Sequence, residues 1–505
     1  MRPWTEAALT AALGIAARAG DEDVSFPAVN TDSRTLRPGE LFVALRGENH
    51  DAHDYLRQAG DAGAAGAVVE RVPDGAPSDI RYYEVADTLA ALGLLGRARR
   101  RQLGARVCAV AGSNGKTTTK DMLNAVLSPR YRVHATQGNL NNLIGAPLTL
   151  LRAPDDTEVI VAEIGTNSPG ELARLSSIVE PDAAVITGIS AEHLEGLGDL
   201  QGVLREETSV LPWVPLDGPV VVSDDPPMLA ERARRLHGSV RVAGISEHAD
   251  AELRGAGVSL DDEGRVRFRW AGRDVRLALR GRHNARNALV ALGIAREWGV
   301  SDDDAIAALE ALEASKMRVE FRHVGDLTVI VDCYNANPAS VRAAVDLLAS
   351  VPPRGGRVAV LGSMLEMGPR SADIHGEVAA DVASREFDLI VATGEFADAF
   401  GPHRAALGSR LVTAADALEA WEPLSAALQG NEVVLLKGSR GVALERLLPR
   451  FEEKWGSLHP HGEALGSRGI DMVAGSRDEA RPAEHPQIHR PGESRDGAAA
   501  GERGE

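Results

Sequence analysis

Residues 109–120 read AVAGSNGKTTTK, and their reading decides the fold. An apolar strand ends in Gly112, Ser113, Asn114, Gly115, Lys116, Thr117 and Thr118, and a helix follows. Small residues there let backbone N–H groups point at a phosphate, and the helix N-terminus adds the positive end of its dipole. Lys116 would reach the β- and γ-phosphates, and the Thr117 hydroxyl would hold Mg²⁺. The longer loop pattern wants glycine where Val110 stands, so the motif here is the shorter GxxGKT. Such a loop predicts ATP or a related nucleotide on a parallel sheet. It does not name a reaction, because kinases, transporters and ligases share it.

Outward from the loop, apolar runs alternate with helical stretches: EVIVAEIG (158–165), DAAVITGI (182–189) and GPVVVSDD (218–225). That rhythm predicts a parallel sheet with crossover helices. An alternating polar and apolar stretch over about 250–280 predicts antiparallel strands, and a helix is expected from about Asn284 to Trp298. The rhythm restarts with LTVIVDCYN (327–335), RVAVLGSM (357–364), FDLIVATG (387–394) and NEVVLLKGSR (431–440), a second doubly wound α/β domain. Before the loop, ELFVALRG and AGAVVE read as strands of a small mixed domain. The expected division is 1–84, 85–315 and 316–455, with a disordered tail over 456–505 that is rich in Gly, Pro, Arg, Glu and Ser.

Composition agrees with several domains: 505 residues, 44% hydrophobic and 25% charged. Lys+Arg total 55 against 73 for Asp+Glu, a formal charge of −18 that argues against nucleic acid as partner. A small anionic substrate stays allowed, since a few placed cations outweigh the global sign. Two distant cysteines, Cys108 and Cys333, fit a reducing cytoplasm and carry no assigned chemistry. No basic-then-apolar leader opens the sequence and no run of 18 apolar residues occurs, so neither a signal peptide nor a membrane span is expected. Lysine is scarce, at Lys116, Lys120, Lys316, Lys437 and Lys454.

Four groups of residues surround the loop in the sequence argument. Glu163 ends a strand, where its carboxylate would face the crevice at the sheet's carboxyl edge. The following SPGE reads as a helix start, with Ser168 as cap and Glu171 closing a capping box. His193 lies just past a strand, either as a plain surface residue or as a Mg²⁺ or phosphate contact. Asn284 and Asn287 share one helix face, either as solvated amides or as readers of adenine. Asn139, Asn141 and Asn142 crowd one loop, for turn chemistry or for a polar substrate.

With those residues in view, the chain resembles a Mur ligase. The resemblance rests on GSNGKTTT, GNLNNLIGAPLTLL, VAEIGTNSPGEL, HLEGLG, GRHNARNAL, VDCYNANPAS and KGSRG, and it covers nearly everything to about residue 450. YNANPAS and KGSR are similar to the branch that adds D-alanyl-D-alanine to UDP-N-acetylmuramoyl-tripeptide. The DNPR of the third-step ligase does not occur. The resemblance implies three domains: a small mixed α/β UDP-binding domain, a central P-loop-type ATPase domain, and a C-terminal Rossmann-like ligase domain. It implies a cytoplasmic monomer, with ATP and Mg²⁺ required. The tripeptide carboxylate would attack the γ-phosphate, and the dipeptide amine would attack the resulting acyl phosphate. Two such anions at 4 Å repel by roughly 4 kcal/mol at an effective dielectric of 20. Lys116 is the implied counter-cation. Thr117 and Glu163 would hold one Mg²⁺, and His193 with Glu163 a second. Asp32, Ser33 and Arg34 resemble uridine-diphosphate contacts, and Asn284 and Asn287 adenine contacts. Arg318 and Asp332 resemble the hold on nucleotide phosphates and ribose. Asn335, Asn337, Lys437, Ser439 and Arg440 resemble the dipeptide crevice, where Arg440 could meet a carboxylate in a bidentate pair, while Lys437 and Asn337 could equally brace their own loops.

The chain departs from the family in three places. DAHD has Ala52 in the usual glycine position, and Cys333 stands where serine is usual. Mur ligases usually carry a carbamylated lysine on the helix after HLEGLG, and here Glu207 occupies that position. Glutamate supplies a carboxylate but is shorter by roughly 3–4 Å, about three bonds. Either the helix stands closer to the site, or water bridges the gap, or Glu207 is a solvated carboxylate without the role.

Overall fold

In the computed structural model, residues 2–16, 24–47, 50–313 and 317–456 are described. The expected disordered tail, apart from Gly456, lies outside the described residues, as do Lys316 and the expected domain junction at 315–316. The chain forms two compact units, one containing the residues up to Ala28 and from Leu89 onward, the other Val29–Thr88. The opening segment therefore groups with the larger unit, where a backbone N–H of Arg2 is bonded to the Asp155 carboxylate.

The smaller unit is built on four parallel strands in sequence order, Val29–Asn30, Leu41–Val43, Gly66–Val69 and Arg81–Glu84. Asp51 caps the turn Ala52–Tyr55. His53 is buried there, its Nδ1 2.5 Å from Asp51 Oδ1, while its Nε2 accepts from the Glu70 N–H at 2.9 Å.

The larger unit carries a six-stranded sheet, all parallel, in the order Val240–Ala243, Val220–Ser223, Ala183–Ile186, Arg106–Ala111, Val159–Glu163, Val133–Ala135. Every residue of the Val159–Glu163, Ala183–Ile186 and Val220–Ser223 strands is buried, as a sheet covered on both faces requires. Each buried Val or Ile contributes roughly 1.5–3 kcal/mol, so the register is strongly fixed. The chain order reverses beside Arg106–Ala111, which puts the switch-point crevice at the end of that strand. An antiparallel sheet of Ala256–Leu260, Arg265–Trp270 and Arg273–Arg280 follows, then the helix His283–Glu297.

A second six-stranded sheet runs Glu320–Val324, Leu327–Asp332, Val433–Lys437, Arg357–Leu361, Leu389–Thr393, Leu411–Ala414, parallel except for its first pair. Its register sets Asp332 opposite Lys437.

One local expectation is corrected. Ser168 does not cap the next helix, which begins at Glu171 after Gly170 with φ +84°. The remote Glu206 does that work: its carboxylate accepts from the N–H groups of Gly170 and Leu172, both at 2.8 Å. A carboxylate at a helix N-terminus satisfies otherwise orphaned donors. The Glu171 side chain turns back instead and accepts from the Asn167 N–H at 3.0 Å.

Candidate active site

The loop between Ala111 and Lys116 is glycine-dependent at two points. Gly112 has φ +114°, and a Cβ there would stand 2.4 Å from Thr187 Oγ1. Gly115 has φ +80°, and a Cβ there would stand 2.7 Å from Asn287 Oδ1. Thr187 Oγ1 donates to the Asn114 carbonyl at 2.5 Å, and the Ser190 N–H donates to Ser113 Oγ at 2.9 Å. The loop is thereby tied to the end of the neighbouring strand. The N–H groups of Lys116, Thr117 and Thr118 open the Lys116–Leu127 helix, where no intrahelical acceptor exists.

Lys116 lies back over this loop, its Nζ donating to the Gly112 carbonyl at 2.5 Å and to that of Ser113 at 3.3 Å. Burial would lower its pKa, but Glu192, Glu207 and Glu163 outweigh that and hold the ammonium above its ordinary value. Thr117 Oγ1 donates to Glu163 Oε1 at 3.2 Å, and Asn141 Nδ2 donates to the same oxygen at 2.9 Å. The other Glu163 oxygen and both oxygens of Glu192 are buried without a hydrogen-bond partner. Glu192 Oε1 is 3.7 Å from Lys116 Nζ. Glu192 escaped the sequence reading, although it directly precedes His193 in AEHLE.

Glu207 ends the Leu200–Glu207 helix and is 1% exposed, which excludes a solvated role. Its Oε2 accepts from the Gly112 N–H at 2.6 Å. Burial, with Glu192 adding to it, pushes this carboxyl up to about 7, against the pull of Lys116, the Gly112 N–H and His193. The neighbouring Glu206 anchors the same helix on the Gly170–Leu172 turn, which aims Glu207 at the phosphate loop.

These groups make a cation-seeking cluster, with Glu163, Glu192 and Glu207 facing a single lysine. Buried carboxylate oxygens without donors cost several kcal/mol unless a cation meets them. The hard oxygen donors of Thr117, Glu163 and Glu192 fit Mg²⁺ in type and charge. Among the described residues no three His, Cys, Asp or Glu side chains converge to cage an ion unaided. Mg²⁺ characteristically takes one or two carboxylates and completes its shell with water and phosphate oxygens. His193 stands beside this cluster with Nε2 4.0 Å from Glu192 Oε2, and its Nδ1 is hydrogen-bonded to Glu366. Burial lowers its pKa, but the bond to Glu366 and the charge of Glu192 raise it further, to a net increase.

The remaining predicted residues sort by position. Asn284 and Asn287 are buried rather than solvated, bonded to each other at 3.0 Å, with Asn287 backing Gly115. In the asparagine-rich loop only Asn141 meets Glu163. Asn142 accepts from the N–H groups of Ile144 and Gly145, and Asn139 is exposed. Arg318 stacks on the Tyr334 ring at 4.2 Å and lies near enough to Lys116 to oppose its charge. Lys437, 2% exposed, is held by Asp332 Oδ2 at 2.9 Å and the Asn335 carbonyl at 2.7 Å. Asn337 caps the Pro338–Ser350 helix and exchanges amide hydrogen bonds with Asn114 at 2.8 and 3.2 Å. Ser439 Oγ accepts from the Leu365 N–H at 3.0 Å, and Arg440 is exposed, 3.5 Å from Glu445. In the smaller unit, Arg34 grips the Asp32 carboxylate at 2.8 and 2.9 Å, and Ser33 donates to Gln58 at 3.1 Å. That grip, chiefly its side-chain hydrogen bond, lowers the Asp32 pKa.

The Mur ligase middle-domain model matches residues 110–295, and the Mur ligase glutamate-ligase domain model matches residues 317–440. The UDP-N-acetylmuramoyl-tripeptide–D-alanyl-D-alanine ligase of Bacillus subtilis is 35% identical over 83% of this chain and 92% of its own. The chain belongs to the Mur ligase family. A crystal structure of MurF from Acinetobacter baumannii matches this Mur ligase with a TM-score of 0.81 at 32% identity, over 90% of this chain and all of that one. MurF from Thermotoga maritima in complex with ADP matches it with a TM-score of 0.76 at 26% identity, over 85% of this chain and 97% of that one. The three-domain α/β architecture expected from the sequence is thus the architecture of the family. Among the described residues no helix is long and apolar enough to cross a membrane.

Proposed function

We propose that this Mur ligase joins D-alanyl-D-alanine to UDP-N-acetylmuramoyl-tripeptide, cleaving ATP to ADP and phosphate, as a cytoplasmic monomer. One observation carries the chemistry: Lys116 lies over a glycine loop among three carboxylates, three of whose buried oxygens lack a donor. The relatives' names supply the substrates.

The tripeptide's terminal carboxylate oxygen attacks the γ-phosphorus, the bond to the β-phosphate bridge breaks, and ADP leaves. The dipeptide amine then attacks the acyl carbon. The tetrahedral intermediate expels phosphate, and the amine gives up a proton. Lys116 exchanges its two loop carbonyls for phosphate oxygens and neutralises charge as it transfers. The first-turn N–H groups of the Lys116–Leu127 helix bind phosphate, while the Gly112 N–H stays with Glu207. Thr117, Glu163, Glu192 and His193 are the proposed holders of Mg²⁺, which when bound offsets phosphate charge. Glu207 is proposed to stand in for the family's carbamylated lysine as the carboxyl group behind the phosphate loop, a reading supported by its place on the helix and its bond to the Gly112 N–H. Asp32, Ser33 and Arg34 are proposed for the uridine diphosphate, Arg318 for the nucleotide phosphates, and Arg440 for the dipeptide carboxylate.

The test is ADP and phosphate release with ATP, Mg²⁺, UDP-N-acetylmuramoyl-tripeptide and D-alanyl-D-alanine, omitting each in turn. Release that needs both substrates, with a pentapeptide product by mass, is expected. ATP binding without substrate-dependent release would sink the proposal. Lys116→Ala is expected to cut turnover by about a hundred-fold or more. Full activity and unchanged Mg²⁺ dependence in Glu207→Gln would remove Glu207 from the site.

A further inference from the structure

Two residues with left-handed backbones meet at the rim of the carboxylate cluster. His193 has φ +49° and Glu366 has φ +65°. Such a conformation costs a residue other than glycine about 1–2 kcal/mol. Each side chain is turned on the other, with His193 Nδ1 in short hydrogen-bond contact with Glu366 Oε2. A partly exposed ion pair is worth at most about 1 kcal/mol, too little to offset two such residues. The surroundings hold them in place. The Met364 N–H donates to Nε2 of the wholly buried His375 at 2.9 Å, and the Leu365 N–H donates to Ser439 Oγ at 3.0 Å. The Glu366 carbonyl accepts from the Glu195 N–H at 3.4 Å. A Cβ on Gly368 would stand 3.0 Å from the Glu195 backbone, so this loop and the Leu194–Leu197 turn are pressed together main chain to main chain.

An ionised carboxylate only accepts hydrogen bonds. Glu366 therefore places the His193 proton on Nδ1 and leaves Nε2 facing inward, 4.0 Å from Glu192 Oε2. Holding one ring nitrogen on a carboxylate is how a histidine is aimed at a cation. We infer that Glu366, delivered by the loop after the Arg357–Leu361 strand, is a positioning residue that fixes the ring and tautomer of His193. The cation site is then complete only while that loop is docked on the Leu194–Leu197 turn. The inference rests on the proposed place of His193 at the Mg²⁺ site.

Mn²⁺ binding to the full chain in the presence of ADP, read from the EPR signal of the free ion, tests it. His193→Ala and Glu366→Ala are each expected to weaken Mn²⁺ binding about ten-fold or more. Glu366→Gln, whose amide oxygen still accepts from Nδ1–H, is expected to keep most of the affinity. Weakened binding in His193→Ala with unchanged binding in Glu366→Ala overturns the positioning role, whatever happens to thermal stability. Unchanged binding in both overturns it together with the place of His193 at the ion. Failure of the ligase reaction itself is a separate result, read from product formation by the unaltered protein.

Discussion

At the residue scale, Glu207 gives the site a pH signature. Its folded pKa of about 7 lies above the ordinary glutamate value, because burial disfavours the charged form. For a group raised in this way, stability is greatest below the unfolded pKa and is lost as pH rises through the folded one. Nucleotide-free Glu207→Gln should therefore melt higher than the parent at about pH 8.5, with a much smaller gain at about pH 5. Equal shifts at both pH values would contradict the assignment. Gly115 makes a second case. Alanine there meets both a positive φ and the Asn287 amide, so Gly115→Ala should lose about 1–3 kcal/mol of stability along with ATP binding. Thermal denaturation and a nucleotide-binding titration check the two losses separately.

At the element scale, the helix Pro338–Ser350 begins on a residue with two employments. Asn337 closes a capping box with Ser340 and also pairs with Asn114 of the phosphate loop. Asn337→Asp keeps an acceptor for the Ser340 N–H but cannot donate to Asn114 Oδ1. It should hold thermal stability within about 1 kcal/mol while turnover falls, and parallel losses of both would show the cap alone matters. In the same sheet, Lys437→Ala strands the Asp332 carboxylate and should cost about 3–5 kcal/mol by denaturant unfolding. The strands themselves were legible in the sequence, because apolar runs and their spacing are local properties. The cap of the Glu171–Val179 helix was not. A sound local motif lost to Glu206, a carboxylate more than thirty positions later along the chain. Asn284 and Asn287 illustrate the same limit: their spacing put them on one face, but nothing nearby said that face was buried against Gly115.

At the scale of the whole molecule, the phosphate loop, Glu163 and His193 were readable from strand ends, since parallel sheets collect chemistry at their carboxyl edges. Glu192 and Glu366 were not, because burial and a partner 173 residues away leave no periodic trace. Two of the contacts between the phosphate-loop sheet's side of the molecule and the later sheet's side differ in kind. Asn114 and Asn337 form an uncharged pair, whereas His193 and the Glu366 carboxylate, with side chains 19% and 53% exposed, form a charge-assisted one. Dissolved salt distinguishes them. At about 1 M the Debye length shrinks to about 3 Å, which weakens exposed charge pairs and leaves amides alone. Concentrated electrolyte thus becomes a reagent for one seam of the enzyme. It should erase the difference in Mn²⁺ affinity between the parent and Glu366→Gln while leaving the amide seam shut.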